Sequence, residues 1–130
     1  MLLAALIAAT SAAGANAAPL GIYADALESG FTDQSWADSG DYDLSNTAPV
    51  HAGTASIAFT PNGWGGLQFV ANGSEFDFID YQDLTFWVHG GSVGGQTIWV
   101  IVTDNSIGVS ATVDVATLVP GGVIVPDAWQ

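Results

Sequence analysis

Beyond residue 20 no stretch of this chain sustains a helical apolar repeat. Short β-rich runs alternate instead with clusters of Gly, Asn, Asp, Ser and Pro. Strands are expected at Leu20–Leu27, Thr54–Thr60, Trp64–Val70, Ser74–Ile79, Leu84–His89, Gln96–Asp104 and Gly108–Val115, with a shorter run at Gln34–Trp36. Turns are expected at Pro61-Asn62-Gly63, Asn72-Gly73, the glycine-rich stretch from Gly90 to Gly95, and Asp104-Asn105-Ser106. Gly and Asn tolerate the left-handed backbone of tight hairpin turns, which is why they mark these positions. Many strands at short spacing define an all-β chain, an antiparallel β-sandwich or jelly roll.

Alternation separates the two faces of each strand. Ala55, Ile57 and Phe59 share one face, with Ser56 and Thr60 opposite. Val109, Ala111, Val113 and Val115 share another, with Ser110, Thr112 and Asp114 opposite. Gln96–Asp104 is apolar on both faces and is expected to lie centrally, with Trp99 in the core. Placing Leu67 and Phe69 inside leaves Trp64 and Gln68 outside. Placing Leu84, Phe86 and Val88 inside leaves Thr85, Trp87 and His89 outside, although a central strand would also allow Trp87 a core position.

Charge narrows the partners. The 130 residues contain 13 Asp and Glu and no Lys or Arg, for a formal charge of −13. Nucleic acid needs cationic groups on the protein to neutralise phosphates, and an anionic membrane surface repels such a chain. Neither is an expected partner. No intrachain Lys or Arg ion pair can form, so repulsion among the carboxylates is worst at low salt. There is no cysteine, hence no disulfide and no thiolate metal site.

A neutral, hydroxyl-rich ligand suits an aromatic, acidic, cation-free surface. Sugars present apolar C–H patches, on which aromatic rings stack, and a rim of hydroxyls that bond carboxylates, amides and imidazoles. Trp64 with Gln68, Trp87 with His89, and Trp36 with Tyr42 in an Asp-rich stretch read as a loop, are the candidate contacts for polysaccharide. The histidines His51 and His89 match no compact metal motif. Calcium, which takes oxygen ligands, is the expected structural ion if one binds, with Asp25, Glu28 and Asp127 as candidates. Asp77, Asp80 and Asp83 cluster within one strand and turn. They do not oppose one another across an evident cleft, as a glycosidase requires. No catalytic residue is assigned.

The N-terminal run Leu2–Ala9 is too short to span a bilayer, and Ala15-Asn16-Ala17 fits a small-residue cleavage site. Residues 1–17 are therefore read as an export signal lacking its basic leader, and 18–130 as the mature domain, secreted from the cell. Trp129 reads as the opening of a further strand, so the sandwich is expected to lack its last strand at Gln130.

Several segments in order carry a family resemblance: Ile22-Tyr23-Ala24-Asp25-Ala26-Leu27, Gln34-Ser35-Trp36 and Pro49-Val50-His51-Ala52-Gly53-Thr54-Ala55-Ser56-Ile57. Gly63-Trp64-Gly65-Gly66-Leu67, Leu84-Thr85-Phe86-Trp87-Val88-His89-Gly90-Gly91 and Gly94-Gly95-Gln96 continue it. Across about residues 20–130 the chain resembles the galactose-binding-like β-sandwich modules of secreted bacterial polysaccharide-active proteins. The resemblance implies a non-catalytic carbohydrate-binding module. Two alternatives stand beside it. One is a structural surface or filament subunit, self-associating by strand addition at an exposed sheet edge. The other is an accessory fragment of a larger glycoside hydrolase.

Overall fold

The run Leu20–Leu27, expected to be one strand, folds back on itself at Asp25. In the computed structural model, residues 7–10, 19–37, 41–60, 64–73, 81, 83–104 and 107–130 are described. They form an all-β chain of antiparallel pairs: β1 (Ile7–Thr10), β2 (Leu20–Ala24), β3 (Ala26–Leu27), β4 (Phe31–Asp33), β5 (Tyr42–Asn46), β6 (Ser56–Phe59), β7 (Phe69–Ala71), β8 (Asp83–Thr85), β9 (Trp99–Asp104) and β10 (Val109–Asp114). Among the described residues the helical pieces are the 3-10 turns Val115–Thr117 and Pro120–Gly122. One sheet has the order β3-β2-β1-β8, and three two-stranded ribbons pair β4 with β7, β5 with β6 and β9 with β10. Small antiparallel sheets of this kind are consistent with a sandwich.

Asp25 makes the β2–β3 turn possible. Its φ is 61°, a left-handed conformation that Asp tolerates better than most residues. Its carboxylate Oδ1 accepts the backbone N–H of Thr54 at 2.7 Å and of Ala55 at 2.9 Å. The hairpin is thereby tied to the loop entering β6. Gly53 lies so close that a Cβ there would overlap the Asp25 carboxylate, and its own φ of +75° also favours glycine. The N–H bonds from Ala55 and Thr54 hold the Asp25 carboxyl below the usual carboxylate range.

β5 arises where the sequence reads as a polar loop. Tyr42, Leu44 and Asn46 are half-buried while Asp43 and Ser45 face out, and Tyr42 lies opposite Phe59 of β6. Ser56, expected on the outer face of its strand, is buried. Its hydroxyl donates to the Pro49 carbonyl at 2.8 Å and accepts from Asn46 Nδ2 at 2.7 Å, which satisfies it inside the fold.

The core has two clusters. Tyr23 and Ile57 form one, with Leu44, Leu67 and Phe69 against them. Val88, Ile98, Val115 and Ile124 form the other, with Val100 and Val119. Phe86 packs against both and joins them. The Tyr23 hydroxyl donates to the Leu44 carbonyl at 2.7 Å, so β2 is fastened to β5 as well as packed beside it.

Other expectations change. Among the described residues β9 pairs with β10 alone, as one strand of a two-stranded ribbon. Trp99 and Trp87, readable as core, are 59% and 41% exposed. Trp129 forms an isolated bridge with His89, and Val88 and Gln130 exchange two backbone hydrogen bonds of 2.9 Å. Ile7–Thr10, within the run read as an export signal, lies between β2 and β8. The expected strand Ser74–Ile79, the turns at 61–63 and 105–106, Asp77, Asp80 and the motif Ala15–Ala17 lie outside the described residues.

Ile57 is fully buried, so Ile57→Ala should cost about 2–5 kcal/mol in urea unfolding through lost transfer energy and the cavity left behind. A lowered folded-state pKa means that Asp25 contributes stability above its ordinary value of 3.8, and that this is lost as pH falls through the folded value. Asp25→Asn keeps the turn but removes the charge. Its thermal midpoint should be lower than that of the natural protein at neutral pH, and its decline on acidification shallower.

Candidate functional site

The β4–β7 register sets Phe31 opposite Ala71, Thr32 opposite Val70 and Asp33 opposite Phe69. The pairing runs on past both strands. Gln34 donates its N–H to the Gln68 carbonyl at 2.9 Å, and Trp36 donates to the Gly66 carbonyl at 3.0 Å. Strand-like alternation therefore continues to residue 36. Thr32, Gln34, Trp36 and Gln68 are exposed, while Asp33, Ser35, Leu67 and Phe69 are half-buried.

Trp36 is 61% exposed yet firmly placed. Its indole Nε1 donates to the Trp64 carbonyl at 2.7 Å. The ring lies so tightly on Gly66 that a Cβ there would overlap it. One side of the indole thus rests on backbone and the other is left to solvent. Trp64 is 97% exposed, a large apolar ring with almost no cover from its own chain. Such an arrangement favours a ligand that can dehydrate the rings.

A polar layer fixes this face from beneath. Asp33 Oδ1 accepts the Ser35 N–H at 2.9 Å, and Oδ2 accepts the Tyr42 hydroxyl at 2.9 Å. Ser35 Oγ in turn accepts the Gln68 N–H at 3.0 Å. Burial works against the charged form of Asp33, but the bonds from Ser35 and Tyr42 outweigh it, and its carboxyl sits below the usual range. The same hydrogen bond to Asp33 raises the Tyr42 phenol. Tyr42, read from sequence as a loop residue, lies in β5, and its hydroxyl braces Asp33.

The structure brings Trp36, Trp64 and Gln68 together and ties Tyr42 to them. Trp87 and His89 belong to a separate ring cluster. The Trp87 indole stacks on His51, with centroids 4.0 Å apart and planes 15° apart. Trp129 meets His51 edge-on at 5.5 Å and His89 at 5.0 Å. His89, expected on the outer face, is only 8% exposed, and its Nδ1 accepts the Gly91 N–H at 3.0 Å. The C-terminal segment pairs back onto this stretch, with Val88 bonded to Gln130 and Asp127 to Gly91, and brings Trp129 against His89, which removes it from the exposed surface. His51 covers one side of Trp87.

Among the described residues no three His, Asp or Glu side chains gather into a group able to hold a metal ion. Asp25, Glu28 and Asp127 accordingly do not meet as a ligand set. The Asp25 carboxylate is engaged with Thr54 and Ala55, and the backbone N–H of Asp127 donates to Gly91 at 2.7 Å.

Two exposed residues escape the sequence reading. Gln34 shares the face of Trp36, and the alternation that pairs Trp64 with Gln68 would have identified it. Trp99 has no such signal, because its strand is apolar on both faces. The β4–β7 face thus offers an anchored indole, an exposed second indole and two amides, with no cation in the chain. That chemistry matches a neutral ligand with apolar faces and hydroxyl edges.

No protein-family model matches the chain, and no solved structure matches it. An endoglucanase of Dictyostelium discoideum is 33% identical to it over 111 residues, 85% of this chain. The chain spans about 15% of that protein's length. It is therefore similar to a short region of a carbohydrate-active enzyme.

Gly66→Ala should lift the Trp36 ring from its seat. The near-UV circular dichroism of Trp36, isolated as the difference from Trp36→Phe, should collapse in the Gly66→Ala background while far-UV ellipticity stays unchanged.

Proposed function

We propose that this chain is a non-catalytic polysaccharide-binding domain of an exported carbohydrate-active protein, with neutral glucan as its leading ligand class. The observation that carries the reading is the β4–β7 face. Trp36 is seated on Gly66 and held by the Trp64 carbonyl, with Trp64 beside it and Gln34 and Gln68 along the same surface. A pyranose ring would stack on the free side of Trp36, and the two amides would bond its hydroxyls. The similarity to a short region of an endoglucanase supports the choice of glucan. Export is supported by the small-residue site Ala15-Asn16-Ala17; cleavage there would remove β1 from between β2 and β8.

The electrostatics of the face favour binding over hydrolysis. A glycosidase needs a general acid whose pKa is raised, paired with a second carboxylate across the bond. Asp33, the acid beneath this face, is shifted the other way and is occupied by Ser35 and Tyr42. Its role is to hold the strand in shape.

Isothermal titration against β-glucan, mannan, xylan and galactan tests the reading. A neutral glucan should bind. Trp36→Ala and Trp64→Ala should each weaken it by about 1–3 kcal/mol, the range known for nucleobases stacked on aromatic side chains. No binding to any of the four would overturn the proposal.

A further inference from the structure

The ribbon of β9 and β10 repeats, in a different part of the chain, the surface chemistry of the β4–β7 face. Its register sets Trp99 opposite Asp114, Ile101 opposite Thr112 and Thr103 opposite Ser110. These six residues share one face, because strand side chains alternate. The other face, with Val100, Val102, Ala111 and Val113, lines an apolar groove of about 210 Å³ together with Leu84, Phe86 and Leu118. The two sides of one ribbon are thus unlike. The groove side carries Val100, Val102, Val109, Ala111 and Val113, with Asp104 at its end and Asp83 at the groove's edge. The outer side has an apolar row on β9 and a hydrogen-bonding row on β10.

The outer side is open. Trp99 is 59% exposed and Ile101 61% exposed, and Thr103, Ser110 and Thr112 are exposed with them. From Trp99 to Thr103 the face runs about 13 Å. We infer that this face is a second glycan contact, which takes an internal segment of a linear neutral polysaccharide. The indole and the Ile101 side chain meet the apolar faces of successive sugar rings, and Ser110, Thr112 and Asp114 meet the hydroxyl edge. An open strand face has no end wall, so it selects chain interiors and not chain ends. The inference rests on the reading of the β4–β7 face as a glycan site and adds a second site to it.

Charge distinguishes this occupant from a second copy of the chain. A protein covering this face would bury Asp114 among the hydroxyls. The carboxylate already accepts the Ala116 N–H through one oxygen, but burying it still costs unless its other acceptor sites are filled, which a cation does best. This chain contains no Lys or Arg, so its own copy could not supply one, and two copies would bring two charges of −13 together. A neutral polyol imposes neither penalty. It bonds the carboxylate and the hydroxyls while the rings stack.

Titration of the full chain with cellohexaose, with laminarihexaose as a parallel probe, tests the inference. The natural protein should bind two oligosaccharides per chain. Trp99→Ala should bind one, Trp99→Tyr should restore the second, and Trp36→Ala combined with Trp99→Ala should bind none. Far-UV ellipticity should be the same in all of them. Binding of one oligosaccharide, lost in Trp36→Ala and unchanged in Trp99→Ala, would overturn the second site while leaving the first intact. No binding by the natural protein would overturn both. A dimer by light scattering that Trp99→Ala converts to monomer would assign the face to self-association and overturn the inference.

Discussion

A chain with thirteen carboxylates and no lysine or arginine has no ion pairs of the usual kind, and its structure depends on how those acids are satisfied. They turn to backbone N–H groups and hydroxyls. Asp25 takes the N–H groups of Thr54 and Ala55, Asp33 those of Ser35 and the Tyr42 hydroxyl, Asp43 the N–H and hydroxyl of Ser45, and Asp114 the N–H of Ala116. Hydrogen bonds to an ionised acceptor are stronger than neutral ones. Each of these also closes a turn or joins two strands. The same residues that give the chain its charge therefore set its loops, and the carboxyls of Asp25, Asp33 and Asp43 are all held below the ordinary range by such bonds.

The candidate site follows from that constraint. Asp33 links Ser35 and Tyr42, and Ser35 links to Gln68, so the half-buried side of the β4–β7 pairing combines this hydrogen-bonded chain with Leu67 and Phe69 packed on the core. The opposite side is then free to present indoles that do not contribute to the core. Trp36 keeps its position through Gly66 and the Trp64 carbonyl. On β9 and β10 the aliphatic side faces the groove, and Trp99 turns outward. Two-stranded ribbons with unlike faces are a simple way to hold aromatic rings in solvent. The strand fixes their orientation, and the partner strand supplies hydrogen-bonding groups beside them.

Much of this is legible in the sequence, for identifiable reasons. The all-β character follows from runs such as Gly108–Val115, whose alternation survives in β10. Trp64, Gln68 and Trp36 are recognisable because each is too polar in context, or too exposed by alternation, to be core. What is not legible depends on contacts distant in the chain. Asp25 can split a run of apolar residues into a hairpin because Thr54 and Ala55, nearly thirty positions later, stabilise its left-handed turn. Tyr42 reads as a loop aromatic until Phe59 pairs with it. Ser56 reads as surface until Asn46 and Pro49 enclose its hydroxyl. His89 loses its exposure to Trp129, forty residues on. Local pattern predicts which side of a strand is apolar, but a residue with a distant partner can be buried against that pattern.

The central claim is that an indole seated on a glycine backbone is a stacking platform for neutral glycan. A crystal structure of the protein with a bound gluco-oligosaccharide tests it most directly. The account predicts a pyranose ring parallel to the free side of the Trp36 indole, with Gln34 or Gln68 bonded to its hydroxyls. An oligosaccharide bound elsewhere, with the Trp36 ring facing only water, would contradict it.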